Sequence, residues 1–321
     1  MKDRYGREID YMRISITERC NYRCFYCMPQ GVEVETDKEN FITPEEIIDL
    51  VKAGVQLGIK KVRLTGGEPL IRSDINKILK GISDIKKVEK LCITTNGSFL
   101  YEKVELLKQY KVSRINVSLD TLSPKKFKKI TKIGDLNSVL AGIKKAIKAG
   151  IEVRINTVII KGINDDEIGS LVSLTEEYNL DLRFIELMPI GEGKKYSGIS
   201  GIEIRDILAK EGKELIDLEK RDGASKYYRL KDAKGKIGFI NPISNCFCQE
   251  CNRIRVTSKG DLKQCLNKKS NFNIVKYMRS GVSKEEIIEE ISKEIYNKPE
   301  KHQFNLINEF EEKFNMNQIG G

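Results

Sequence analysis

The sequence predicts an α/β protein built on a parallel sheet or barrel, followed by a smaller α+β region. Short β-branched runs alternate with amphipathic stretches six times across the first two thirds of the 321 residues. Local start and stop signals punctuate those stretches. Beyond about residue 220 the texture changes to short strand-like runs separated by turns.

In chain order, strands are expected at 12–16, 61–65, 91–95, 114–119, 153–160 and 182–187. Helices are expected near 44–57, 74–83, 99–110, 135–149 and 165–178, with the lysine-rich SPKKFKKITK as a further helical stretch. Thr43 before Pro44, with Glu45 and Glu46 behind it, supplies an N-cap, a proline at the first helical position and acidic first-turn residues. Gly58 and Gly150 stand where helices should stop. Such an alternation makes a parallel sheet whose site lies at the C-terminal strand ends, and whether the barrel closes is not readable. The later runs KYYRL, KIGFI and RIRVT, with turns at Lys234-Gly235 and Lys259-Gly260-Asp261, precede helical stretches near 283–296 and 303–314. This divides the chain into domains 1–220 and 221–321.

Apolar residues at 40% and charged residues at 32% describe a folded chain rather than a disordered one. The single histidine, His302, excludes a multi-histidine metal cage, so any metal must lean on the eight cysteines. No apolar run approaches the ~18 residues of a membrane span. The charged start MKDRYGREIDYM lacks the apolar core of a secretory signal. Reduced thiols in a cytoplasmic protein are therefore expected, and clustered cytosolic cysteines point to metal or redox chemistry. The net charge of +10 suits nucleic acid, nucleotide phosphates or a membrane surface, although scattered lysines on solvated helix faces account for most of it. Cys92, inside an expected strand, reads as a small core residue, and His302 is given no catalytic role.

Six cysteines form two triplets. Cys20, Cys24 and Cys27 are spaced C-x3-C-x2-C directly after the first strand. Three thiolates from one loop suit three irons of a [4Fe–4S] cube and leave the fourth open, whereas zinc would want a fourth ligand that is not nearby in sequence. Cys248, Cys251 and Cys265 are spaced C-x2-C-x13-C, with Arg253 and Arg255 sharing one face of an outgoing strand. Here a zinc ribbon stays open, because Cys246 could supply a fourth thiolate. After the second strand, RLTGGEPL offers paired glycines that allow close backbone approach.

The first triplet, with RLTGGEPL one β/α unit later, resembles the radical S-adenosylmethionine (SAM) superfamily. That resemblance implies a partial (β/α)6 barrel, and SAM chelated to the open iron and cleaved to a 5′-deoxyadenosyl radical. It implies cofactor contacts at Tyr26 and Gly67, and a narrower family within it adds Ser118 and Met188. The motifs CITTNG, INVSLD, NTVIIKGIND and RFIELMP, the second triplet with NRIR, and the terminal Gly320-Gly321 narrow it to the family that opens molybdenum cofactor biosynthesis. The narrower resemblance implies two [4Fe–4S] clusters, held by Cys20, Cys24 and Cys27 and by Cys248, Cys251 and Cys265. It implies GTP contacts at Arg13, Arg63, Thr94, Arg154, Arg183, Arg253, Ile254 and Arg255. Its reaction removes the ribose 3′ hydrogen of GTP and joins C3′ to guanine C8, giving 3′,8-cyclo-7,8-dihydro-GTP. Arg253, Arg255, Gly320 and Gly321 carry catalytic roles in it, the last two by insertion of the tail toward the site. The same resemblance implies a product passed to cyclic pyranopterin monophosphate synthase, a flavodoxin or ferredoxin as reductant, a homodimer and no membrane partner. Two other readings stay open on the residues alone. One is a radical SAM enzyme modifying a peptide or RNA. The other is a zinc-ribbon nucleic-acid binder, which would interleave basic residues with stacking aromatics, where this chain has only Phe247 near the triplet and no tryptophan.

Overall fold

The computed structural model describes residues 1–29, 31, 40–302, 304 and 315–320. The helix expected over 303–314 falls, apart from Phe304, outside the described residues, as does Gly321.

The first β/α run is β1 (Tyr11–Ser15), α1 (Pro44–Gln56), β2 (Lys61–Thr65), α2 (Ile75–Ser83), β3 (Lys90–Thr95), α3 (Leu100–Gln109), β4 (Arg114–Ser118), α4 (Pro124–Thr131), α5 (Leu136–Lys148), β5 (Glu152–Thr157), α6 (Ile168–Glu177) and β6 (Asp181–Ile185). The local signals act as read. Thr43 Oγ1 accepts from the Glu46 amide at 3.2 Å while the Glu46 carboxylate accepts from the Thr43 amide at 2.8 Å, so two orphan donors of α1 are satisfied. Gly58 and Gly150 turn the chain out of α1 and α5 with φ of +92° and +81°, a conformation that costs other residues strain.

The remaining elements are α7 (Gly201–Lys210), β7 (Leu215–Asp222), β8 (Ser225–Leu230), β9 (Lys236–Ile240), β10 (Arg253–Val256), β11 (Leu262–Lys263), α8 (Ile274–Arg279), α9 (Lys284–Tyr296) and α10 (Met316–Ile319). All eleven strands join one sheet in the order β11-β10-β1-β2-β3-β4-β5-β6-β9-β8-β7. Strands β1 to β6 run parallel in sequence order. The later strands extend both edges: β10 adds parallel to β1, and β9 adds parallel to β6. The edge strands β11 and β7 do not pair with each other, so the barrel is open. Five of the elements named had no sequence expectation: α7, β7, β11, α8 and α10. The charged run LIDLEKRD of β7 is mostly exposed and lacks strand composition, and it is held by its hairpin with β8.

The strands alternate strictly. Met12, Ile14, Val62, Leu64, Ile115, Val117, Leu182, Phe184, Ile254 and Val256 face outward into a core at or near full burial, under the helices. The intervening residues face inward. Parallel strands are normally apolar on both faces, so a polar inner face means that the barrel encloses a site rather than a packed core.

Candidate active site

The inner face lines a cavity of about 370 Å³ that runs the depth of the barrel. Cys20, Cys24 and Cys27 lie just beyond the C-terminal end of β1, the upper end of the parallel strands. Cys248 and Cys251 precede β10, which runs parallel to β1, so they lie at the lower end. Cys265 returns there after the antiparallel β11. A five-residue strand spans ~16 Å, which separates the triplets by roughly the length of a nucleotide. The site is thus not confined to the C-terminal mouth, contrary to the expectation for a parallel α/β sheet.

Between the triplets lies a belt of arginines. Register pairs Arg255 with Arg13 and Arg13 with Arg63 on three adjacent strands, while Arg253 pairs with Tyr11 one step lower. Arg183 enters from β6, where its Nε and Nη2 donate to Asn156 Oδ1 at 3.0 and 2.6 Å. Burial, reinforced by neighbouring arginines, pulls the guanidinium pKa of Arg183 and Arg255 down to about 10. The buried Nε of Arg253 and Nη1 of Arg255 have no hydrogen-bond partner, nor does Asn116 Oδ1. Buried donors of this kind cost free energy until a ligand fills them.

Arg154 behaves differently. It pairs with Glu152 at 2.8 Å, Asp181 at 3.1 Å and Asp222 at 2.7 Å. Burial disfavours its charge, but Tyr227 and these carboxylates outweigh that and push its pKa above the ordinary value. Arg154 lines the cavity, yet its charge is already balanced. The side chain of Ile254 is 1% exposed in the core on the outer face, so only its backbone is available to a ligand. Strand alternation is the reason.

Tyr11, which sequence reasoning passed over, receives the Arg63 Nε hydrogen bond at 2.6 Å. Arg63 Nη1 is held by the Ile93 carbonyl at 3.0 Å and Thr94 Oγ1 at 3.3 Å. Burial alone would raise the phenol, but Arg63, Arg13, Lys61 and Arg253 pull it down to about 7. A group held below its unfolded value contributes stability that is full above that value, ~10, and is lost as pH falls through about 7. In the cluster-free chain, phenolate absorbance near 295 nm that is missing from Tyr11→Phe should appear with a midpoint near 7. A midpoint unchanged from free tyrosine would contradict the cationic belt.

The upper end is built by cross-loop bonding. Gly67 donates to the Thr17 carbonyl at 2.7 Å and Glu68 to that of Arg19 at 2.8 Å, so the turn after β2 clamps the segment leading into the first triplet. A Cβ on Gly67 would collide with the Arg19 carbonyl and stand 2.7 Å from that of Glu18. Gly67 is therefore demanded by the close approach of this protein backbone. The buried Glu68 carboxylate accepts from the Leu70 amide, Thr95 Oγ1 and the Asn96 amide at 3.0, 2.8 and 2.6 Å, tying the ends of β2 and β3 together. Tyr26 donates to Asp120 Oδ2 at 2.6 Å, and Asp120 Oδ1 accepts from the Val158 amide at 2.9 Å. Ser118 and Met188 line the same upper part of the cavity.

The tail closes this end. Arg13 Nη2 donates to the Gly320 carbonyl at 3.2 Å, Asn317 Nδ2 donates to the Glu18 carbonyl at 3.2 Å, and the Asn317 amide hydrogen-bonds to Cys27. At the lower end Arg7 gathers the carbonyls of Cys248 at 2.8 Å, Pro299 at 2.7 Å and Glu300 at 2.9 Å.

The donor sets fit iron–sulfur clusters. Cys20 Sγ accepts from the Tyr22 amide at 3.4 Å and Asn96 Nδ2 at 3.6 Å, bonds that hold a cluster thiolate in place. Neither triplet converges as tightly as a single ion needs; among the described residues only Cys246, Cys248 and His302 do so. Burial, then neighbouring Cys20, pushes Cys27 up to about 12. Cys251 would also rise on burial, but Lys298 and Arg253 bring it down to about 7. Above the cysteines, the apolar cluster of Phe25, Ile130 and Ile160, with Tyr26 and Val158 packed on it, backs an apolar wall suited to an adenosyl group. The unpartnered Asn116 acceptor offers a polar contact in the same cavity.

Residues 14–175 match the Radical SAM superfamily and 180–304 the family Molybdenum Cofactor Synthesis C. A GTP 3′,8-cyclase from Clostridium perfringens (strain 13 / Type A) is 50% identical, with 100% of both chains covered. One from Alkaliphilus oremlandii is 45% identical over the same full extents. Among solved structures, Streptococcus suis SuiB bound to its precursor peptide SuiA aligns with a TM-score of 0.62 at 16% identity. That alignment covers 84% of this chain and 64% of the SuiB chain, so the chain spans less than two thirds of SuiB, and the likeness is one of fold.

Proposed function

The chain belongs to the GTP 3′,8-cyclase family of the radical SAM superfamily, and from that premise we propose how its cavity handles substrate. It is an enzyme that converts GTP to 3′,8-cyclo-7,8-dihydro-GTP, the first step of molybdenum cofactor biosynthesis, with SAM and two [4Fe–4S] clusters. The observation that carries the proposal is the belt of buried arginines between two cysteine triplets.

Cys20, Cys24 and Cys27 would hold the upper cluster, and Cys248, Cys251 and Cys265 the lower one. When bound, the upper cluster and SAM supply the one-electron cleavage and the group that removes the ribose hydrogen. Tyr26, Gly67, Ser118 and Met188 border the SAM position. Arg13, Arg63, Arg183, Arg253 and Arg255 bind the triphosphate, a polyanion that guanidinium forks meet bidentately, and Thr94 stands by the nucleoside. Guanine held at the lower end fixes C3′ and C8 against each other, a gain of orientation rather than of acid–base chemistry. The tail at Gly320 and the cross-loop bonds keep water and stray hydrogen donors from the upper end. Arg154 acts on the belt through its carboxylate partners. We further propose a cytoplasmic enzyme that receives electrons from a flavodoxin or ferredoxin, passes its product to cyclic pyranopterin monophosphate synthase and works as a homodimer. Residues 1–220 and 221–321 are proposed as its two domains.

Anaerobic reconstitution followed by SAM, dithionite and GTP tests the whole reading. About eight irons per chain and GTP-dependent 5′-deoxyadenosine are expected. About four irons and no dependence on GTP would defeat it. The arginines divide in a second test. Arg255→Ala should weaken GTP binding about 10- to 100-fold in equilibrium dialysis, the value of a charged hydrogen-bond donor. Arg154→Ala should leave that affinity within a few-fold and instead lower unfolding stability by about 1–2 kcal/mol, since Asp181 loses its ion pair while Glu152 and Asp222 keep Arg114. The reverse pattern would reassign the two residues.

A further inference from the structure

Cys246 belongs to neither triplet, and His302 has no place in the chemistry above. The fold nevertheless brings both to Cys248. One ligand atom from each of Cys246, Cys248 and His302 lies within 4.8 Å of the other two. Thiolates on one tetrahedral zinc ion stand ~3.8 Å apart, given a Zn–S bond of ~2.3 Å, so a small side-chain adjustment closes the set. Corners of an iron–sulfur cube stand further apart, and the grouping is therefore of the single-ion kind.

The three residues are also held in place. Glu186 Oε2 accepts from the amides of Ile243 and Ser244 at 2.8 and 3.0 Å, which fixes the segment leading into Cys246. Arg7 pins the Cys248 carbonyl and the segment just before His302. His302 Nε2 meets the Pro242 carbonyl at 2.7 Å. A carbonyl only accepts, so Nε2 carries the hydrogen and Nδ1 the lone pair, whose long 3.4 Å bond from the Phe304 amide a metal ion would displace. Metal-binding histidines are oriented by a bond of this type to a backbone carbonyl. Cys246 is exposed, which gives a metal ion a way in.

The geometry points to a mononuclear zinc site formed by Cys246, Cys248 and His302, mutually exclusive with the second cluster because both require Cys248. Binding releases a proton from each thiol, leaves the ion with two thiolates, one imidazole and an open position, and changes no oxidation state. Zinc at this position removes a ligand from the lower cluster and so blocks the guanine end of the cavity. The competition rests on reading Cys248 as a cluster ligand; the zinc site itself does not.

The full chain is reconstituted anaerobically with iron and sulfide, with and without one equivalent of zinc chloride. Metals are counted by mass spectrometry, and the zinc shell is read by X-ray absorption. The wild type should hold about eight irons without zinc, and about four irons plus one zinc in a shell of two sulfurs and two nitrogen or oxygen atoms with it. Cys246→Ser and His302→Gln should keep about eight irons in both arms. A wild-type chain that holds all its irons and no zinc overturns the proposal, as does a zinc shell of three or four sulfurs. Equal zinc uptake by the variants overturns it too. About four irons in the zinc-free arm would instead refute the second cluster, and the zinc shell would still decide the site.

Discussion

Removal of Gly320 and Gly321 should abolish GTP turnover, by ~10³-fold or more, while the chain keeps both clusters. The effect is large because the tail is fitted closely, and a side chain at position 320 would be strained. Its φ of +74° is left-handed, a conformation that costs a side-chain-bearing residue about 1–2 kcal/mol. A Cβ would also collide with Thr65 Oγ1 and lie 2.9 Å from Ser15 Cβ. The tail is threaded against the upper ends of β1 and β2, where Gly320 gives its carbonyl to Arg13 and Asn317 its amide to Cys27. Truncation takes the carbonyl partner of Arg13 and the cover over the first triplet together. Misplacement on that scale costs orders of magnitude in a reaction that depends on alignment. Iron content and unfolding midpoint should match the wild type, and Gly320→Val should reproduce the loss. An active truncated enzyme would show the tail to be ornamental.

Cys251→Ala is the second large effect. It should leave about four irons and SAM cleavage that no longer depends on GTP, with cyclised product down at least ~10³-fold. Cys251 is the thiol that Lys298 and Arg253 hold at about 7, so its anion forms readily where a cluster needs it. Its loss affects the lower end alone, because the first triplet sits at the other end of the strands. Quantifying iron, 5′-deoxyadenosine and product in parallel separates the outcomes. Loss of all iron, or normal cyclisation, would contradict the assignment.

Much of this was legible in the sequence, for local reasons. The caps of α1, the glycine stops and the six β/α units are short-range signals, and they formed within a residue or two of their expected places, save the end of β5 and the start of α6, each three residues short. The triplet spacings likewise report one loop each. What the sequence hid is long-range. That β10 would seat beside β1 and carry Cys248 and Cys251 to the opposite end from Cys20 depends on pairing across some 240 positions. One ion pair of Arg154 depends on Asp222, at the end of β7, a strand with no sequence signal. Tyr11, Lys61, Asn116 and Asn156 were missed although a signal existed: in YMRIS, KVRLT, RINVS, EVRINT and DLRFI every second residue, Ile185 excepted, is polar or charged. A parallel sheet should not alternate in this way unless it surrounds something.

The pairing of β1 with β10 also governs how the molecule is made. A chain emerging from the ribosome carries β1 with a bare edge until Val256 has appeared, and a bare edge is a template for other strands. Contacts so distant in sequence form late, because the intervening loop must first be closed. The first cysteine loop, next to that edge, is therefore complete long before the second triplet exists. Synthesis itself imposes an order on metal loading: the end with the first triplet can be furnished early, and the end with the second only once the chain is nearly finished.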